Sequence, residues 1–205
     1  MISIMLSRRD YERIIREMDS VGEDALAYLK EKSPWFDVLE SSIIRLSNIL
    51  SRLNIIYVLY GLRVLPLYGV PHIFKDVFFA VKAENFTKLL QRLSDEGFMK
   101  LSSNDESVLL DLQSDRSIHL FTRPKPLNWS DELIERLNKK HGINLLSVED
   151  YAVYLLLLGK VSHIELAAKV LYVNRSSLDR EYLKRIAAGH GVKDILEEIL
   201  NELGI

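Results

Sequence analysis

Cysteine is absent from this chain, which excludes disulfides and thiolate metal sites. Glutamine is nearly so, occurring only at Gln91 and Gln113. The longest uninterrupted apolar run, residues 151–158, is far too short to cross a bilayer. The start of the sequence carries no signal-peptide core with a cleavage site, so a soluble cytoplasmic protein with no membrane contact is expected. An excess of charge of one sign is missing too. Lys and Arg total 27 against 29 Asp and Glu, leaving a net −2 and no global basic field to recruit nucleic acid. Abundant Ile, Leu, Lys and Glu without cysteine is a thermophile-like composition.

What is present suffices for one substantial core or for a core with a helical extension: 205 residues, 48% hydrophobic. Residues 1–53 read as a helical extension. Tyr11, Ile14, Ile15 and Met18 recur at helical spacing, Gly22 interrupts, and residues 24–32 resume. Ser33-Pro34 reads as a helix start, with the helix running to Leu53 along a stripe of Leu39, Ile43, Leu46, Leu50 and Leu53. Burial accounts for that stripe more simply than a dimer seam, with a homodimer through these helices as the alternative. Residues 54–146 read as an α/β core. Strands are expected at residues 55–59, 76–81, 98–101, 108–113 and 117–121, and a helix at residues 84–96 closed by Gly97. A further helix is expected from Asn128 or Ser130 to about His141. Residues 147–205 read as four helices opened by a capping box at Ser147 and Asp150. The class expected is α+β, with a small mixed β-sheet between N-terminal helices and a C-terminal helical bundle.

Residues 55–81 organise the rest: a β-branched and aromatic strand, Tyr60-Gly61, a short helix, the Gly69–Pro71 loop, and a strand beginning at Asp76. This layout resembles the nucleotidyltransferase superfamily, the polymerase-beta-like fold found in archaeal and bacterial members. The resemblance covers residues 54–203 and includes Gly97-Phe98, the Ser147–Asp150 start and the Leu178-Asp179-x-x-Tyr182-Leu183 segment. It implies metal-dependent phosphoryl transfer, in which two acids spaced D-x-D project from one strand face and a third joins from a neighbouring strand to hold Mg²⁺.

The segment matching D-x-D is Asp76-Val77-Phe78, so a phenyl ring stands where the second acid would be. The third acid position corresponds to His119 in Ile118-His119-Leu120, or to Asp111 in Leu110-Asp111-Leu112. A histidine at the first of these is more often structural than ligating, and Asp111 is evenly balanced. Only Gly61 remains of the family's paired glycines, and His72 and Phe74 replace the Arg and Thr of G-x-x-R-x-T. Leu155 stands where many relatives carry lysine, and the segment around His163 and Leu166 lacks their aspartate pair. Gly61 and Arg63 are the expected nucleotide-binding residues, and Asp76, Asp111 and His119 the expected remnant of the catalytic site.

These substitutions favour a degenerate member that binds a partner protein, a nucleotide or RNA over an active enzyme. No cofactor is expected for the degenerate form, and Mg²⁺ for an active one. Toxin–antitoxin systems use this superfamily, so a partner protein of that kind follows by analogy. The competing reading is an active transferase using Asp76, Asp111 and His119, and a third is an oligomeric structural module. Elsewhere, His141, His163 and His190 lack metal-ligand spacing, and no G-x-S-x-G elbow occurs. The basic residues Lys139, Lys140, Lys169, Arg175, Arg180, Lys184 and Arg185 read as a solvated face.

Overall fold

A computed structural model describes residues 6–21, 24–101 and 106–205. Gly22, expected to interrupt the first helix, lies outside them. The class is α+β, with a mixed sheet and a helical C-terminal portion, as the sequence implies. Among the described residues no helix is long and apolar enough to cross a membrane. The chain forms two compact units. One comprises residues 1–35, 65–72 and 147–205, and the other residues 36–64 and 73–146.

The first unit is helical. α1 (Arg8–Val21) buries Tyr11, Ile14 and Met18, the face set by its periodicity, and α2 (Ala25–Lys32) is capped by Asp24. Four more helices follow later in the chain: α6 (Val148–Leu157), α7 (Val161–Val173), α8 (Arg180–Gly189) and α9 (Lys193–Leu203). Ser147 caps α6 as read, its Oγ accepting from the Asp150 N–H at 3.0 Å, and it is the Ser147 hydroxyl that donates to Asp150 Oδ2, at 2.7 Å. Tyr182 donates to the other oxygen of that buried carboxylate at 2.8 Å. Polar pairs join α1 to α7: Arg13 with Glu165, Lys169 with Glu17, and the Tyr172 hydroxyl donating to Asp19.

The second unit is a seven-stranded mixed sheet in the order β3-β4-β5-β2-β1-β7-β6. Its strands are β1 (Ile56–Tyr60), β2 (Val77–Lys82), β3 (Phe98–Lys100), β4 (Glu106–Asp111), β5 (Arg116–Phe121), β6 (Asn138–Lys140) and β7 (Ile143–Leu145). β1 runs antiparallel to β2 and parallel to β7, and β2 runs parallel to β5. α3 (Ser41–Arg52) covers the sheet face that carries Tyr57 and Asp111. Its Ser51 hydroxyl meets the Tyr57 hydroxyl and its Arg45 pairs with Asp111. α4 (Phe86–Asp95) is capped by Asn85 and buries Leu89, Leu90 and Leu93. In the chain, a 3-10 helix, Leu62–Tyr68, comes between β1 and β2 and tolerates Pro66; its residues from Leu65 on belong to the first unit.

Two expected elements differ. Ser33 does not open a helix; it ends α2, its N–H bonding back to the Leu29 carbonyl. Proline directly after such an end is common because it cannot continue the helix. The chain then stays irregular until Ser41, because the carbonyls of Asp37 and Val38 are taken by the Arg63 guanidinium instead of by a helical ladder. The helix from Ser130 is also shorter than expected. α5 covers only Asp131–Glu135, and β6 and β7 then pair across His141-Gly142. Both turn residues have positive φ, 50° and 81°, the geometry of a two-residue hairpin turn.

Candidate functional site

Strand register decides which of the expected site residues meet. Tyr60 pairs with Phe78 across β1 and β2, Phe78 with His119 across β2 and β5, and His119 with Val108 across β5 and β4. Paired residues share a sheet face, so Tyr60, Phe78 and His119 stand together. Asp111 is three residues beyond Val108 on β4, an odd offset that turns it to the opposite face.

On the first face the side chains form an aromatic cluster. The Phe78 ring meets His119 edge-on with centroids 5.0 Å apart, Phe121 at 5.8 Å, Tyr60 at 6.1 Å and Phe74 at 6.4 Å. Phe121 lies two residues beyond His119, on the same side of β5, and the Lys125 ammonium sits 5.9 Å from its ring. Gly61 closes the cluster at the end of β1. Its φ is +88°, and a Cβ built there would lie 2.5 Å from Phe78 Cδ2. The ring thus occupies the space beside the one remaining glycine of the motif. Asp76 precedes β2 and is exposed, and among the described residues it makes no hydrogen bond or ion pair.

Asp111 is elsewhere. It is 1% exposed, paired with Arg45 of α3, and its carboxylate also accepts from the Gln113 N–H and the Ser114 hydroxyl, each at 2.9 Å. Arg45 further donates to the Glu96 carbonyl and lies 4.2 Å over the Phe98 ring. Asp111 therefore fastens the β4–β5 turn to α3.

Arg63 is 3% exposed, with its donors committed within the unit. Nε donates to the Val38 carbonyl at 3.0 Å. Nη1 donates to the Lys75 carbonyl at 2.9 Å and the Phe74 carbonyl at 3.4 Å, while Nη2 donates to the Asp37 carbonyl and, at 3.0 Å, to Glu40. Phe36 covers the guanidinium from 5.0 Å. Burial pulls its pKa below the usual guanidinium value while Glu40 opposes the shift. The sequence shows Arg63 beside a glycine and gives no sign of the loop that encloses it. Glu40, which also meets Arg116 at 3.6 Å, escaped sequence reading entirely.

The fit to Mg²⁺ fails on donor chemistry. A two-metal centre needs several hard oxygen ligands converging on one point. Among the described side chains the first face brings Asp76 to aromatic rings, and no three His, Asp or Glu side chains gather as a metal site, while Glu106 takes the register position opposite Phe121 on the same face. His72, at the Arg position of G-x-x-R-x-T, is half-buried, and burial followed by the Lys169 charge depresses its pKa.

No protein-family model and no curated protein matches this chain. Among solved structures, it is similar to the crystal structure of an antigenic nucleotidyltransferase-like protein from Paracoccidioides brasiliensis. The TM-score is 0.48 and the identity 16%, over 78% of this chain and 91% of that one.

Proposed function

We propose that this is a nucleotidyltransferase-like protein whose phosphotransfer site is degenerate and which acts by binding a partner protein, a nucleotide or RNA. The observation that carries the reading is the seat of Phe78. Its ring lies against Gly61 and edge-on to His119, where the resemblance calls for carboxylates around a cation. A phenyl ring cannot ligate a hard cation, and it fills the space directly beside Gly61. The position of Asp111 supports the same conclusion, because a third acid committed to Arg45 on the opposite face cannot complete a cage with Asp76.

The test is direct. Full-length protein is incubated with each labelled nucleoside triphosphate, Mg²⁺ or Mn²⁺, and protein and RNA acceptors. The expected result is no transfer. Transfer that disappears in Asp76→Ala would overturn the proposal and establish an active enzyme with an altered site.

A further inference from the structure

At the other end of the β1–β2 pair lies a groove of about 740 Å³. It falls where Ile56 pairs with Lys82, four residues of strand from the Tyr60–Phe78 pair, or ~13 Å along the sheet. Its apolar lining comes from Leu53, Ile55, Ile56 and Leu89, and its charged lining from Lys82, Lys88 and Arg92 against the single carboxylate of Glu84. The volume is within the range of sites for small ligands.

The charges are not neutralised internally. Lys88 and Arg92 are exposed one turn apart on the same face of α4, a like-charge spacing that costs an isolated helix stability. Among the described residues neither side chain has an ion pair or hydrogen bond. Among the described residues Lys82 reaches only Asp131, at 3.8 Å, and that carboxylate is 96% exposed. Three cations with so little compensation stand out on a chain whose net charge is −2. Together they match a group carrying more than one negative charge better than a carboxylate, which one cation balances. The apolar lining next to them calls for a ligand with an apolar or planar body.

We infer that this groove binds a phosphomonoester carried on an apolar or planar body of nucleotide size, with Lys82, Lys88 and Arg92 on the phosphate and Ile55, Ile56 and Leu89 under the body. The inference is independent of the aromatic corner at Gly61, because the two lie at opposite ends of the strand pair.

The probe is adenosine 5′-monophosphate, titrated against the full chain by calorimetry, with adenosine supplying the body alone and inorganic phosphate the charge alone. Saturable binding of the monophosphate, tighter than either half, is expected. Lys88→Glu with Arg92→Glu, both exposed and checked for fold by circular dichroism, should weaken it by about tenfold or more. Phe78→Ala should leave it unchanged. No saturable binding, equal binding of adenosine, or indifference to the charge reversal would each overturn the site. Loss of binding in Phe78→Ala with retention in the reversed variant would also overturn it, by moving the ligand to the Gly61 corner.

Discussion

Phe78 fills the space that any side chain at Gly61 would enter, 2.5 Å from the position of a Cβ. Gly61→Ala therefore combines a left-handed backbone, worth about 1–2 kcal/mol against an alanine, with a steric clash worth about 1–3 kcal/mol. Urea unfolding should show a loss within the sum of those ranges. Adding Phe78→Ala relieves the clash and not the backbone term, so the double variant should be more stable than additivity of the two single changes predicts. Strict additivity would mean that the ring moves aside freely.

Arg63 holds residues 37–40 and 74–75 together through its donors, so its loss should be among the most damaging single changes in the chain. Arg63→Ala is expected to cost about 3–5 kcal/mol, because the carbonyls of Asp37, Val38, Phe74 and Lys75 lose their donor and Glu40 keeps, among the described residues, only the exposed Arg116 as a charged partner. Arg63→Lys should rescue little, since one ammonium cannot reach carbonyls on both segments. Denaturation midpoints of the two variants measure this. A neutral Arg63→Ala would show that the guanidinium is not needed to fix the loop.

Alkaline pH should weaken the helical unit. Burial pushes the Tyr154 hydroxyl up to about 12, and burial with Glu198 and Glu202 does the same to Tyr11. Each is raised above its unfolded value of 10.0. Between those pH values the unfolded chain gives up the proton more readily than the folded one, so stability is full below pH 10 and falls as pH rises toward 12. The loss should be about 1–3 kcal/mol for each tyrosine. Tyr11→Phe and Tyr154→Phe should flatten the profile over that window. On the acid side, His72 has a lowered pKa, so stability should decline as pH falls below 6.5, and His72→Gln should reduce that slope.

Replacing the aromatic pair by acids should create a cation site on this sheet face. Phe78→Asp with His119→Asp would set two carboxylates on adjacent strands at paired positions. The double variant should melt at higher temperature as Mn²⁺ is added, with a gain of about 3 kcal/mol when the ion reaches a hundred times its Kd. The parent protein should not respond. An equal response from both would place the ion elsewhere.

Local signals were legible in the sequence where local chemistry decides. Gly97 closes α4, Ser147 opens α6, and the stripe of Tyr11, Ile14 and Met18 marks the buried side of α1. The α+β class followed from the order of such segments. The site was legible only in part. Phe78 and His119 face each other because β2 and β5 run parallel in that register, which no spacing in one chain discloses. Asp111 sits among Val108, Leu109, Leu110 and Leu112, where both parities are apolar, so the sequence could not say which face it takes. Arg63 was hidden for the same reason as the false helix start at Ser33. Both depend on a loop whose carbonyls are satisfied by a side chain 25 and 26 residues away. The hairpin at His141-Gly142 carried a readable turn signal that the preceding helix-forming residues overrode.

The Arg13–Glu165, Glu17–Lys169 and Asp19–Tyr172 pairs each span more than 150 positions of sequence. On the ribosome α1 is made before α7, so these partners are absent while the whole sheet is being synthesised. A chaperone that shields short amphipathic segments would have its main opportunity during that interval. Stalling translation before α7 should leave the amino-terminal helix open to protease while the strands already resist it.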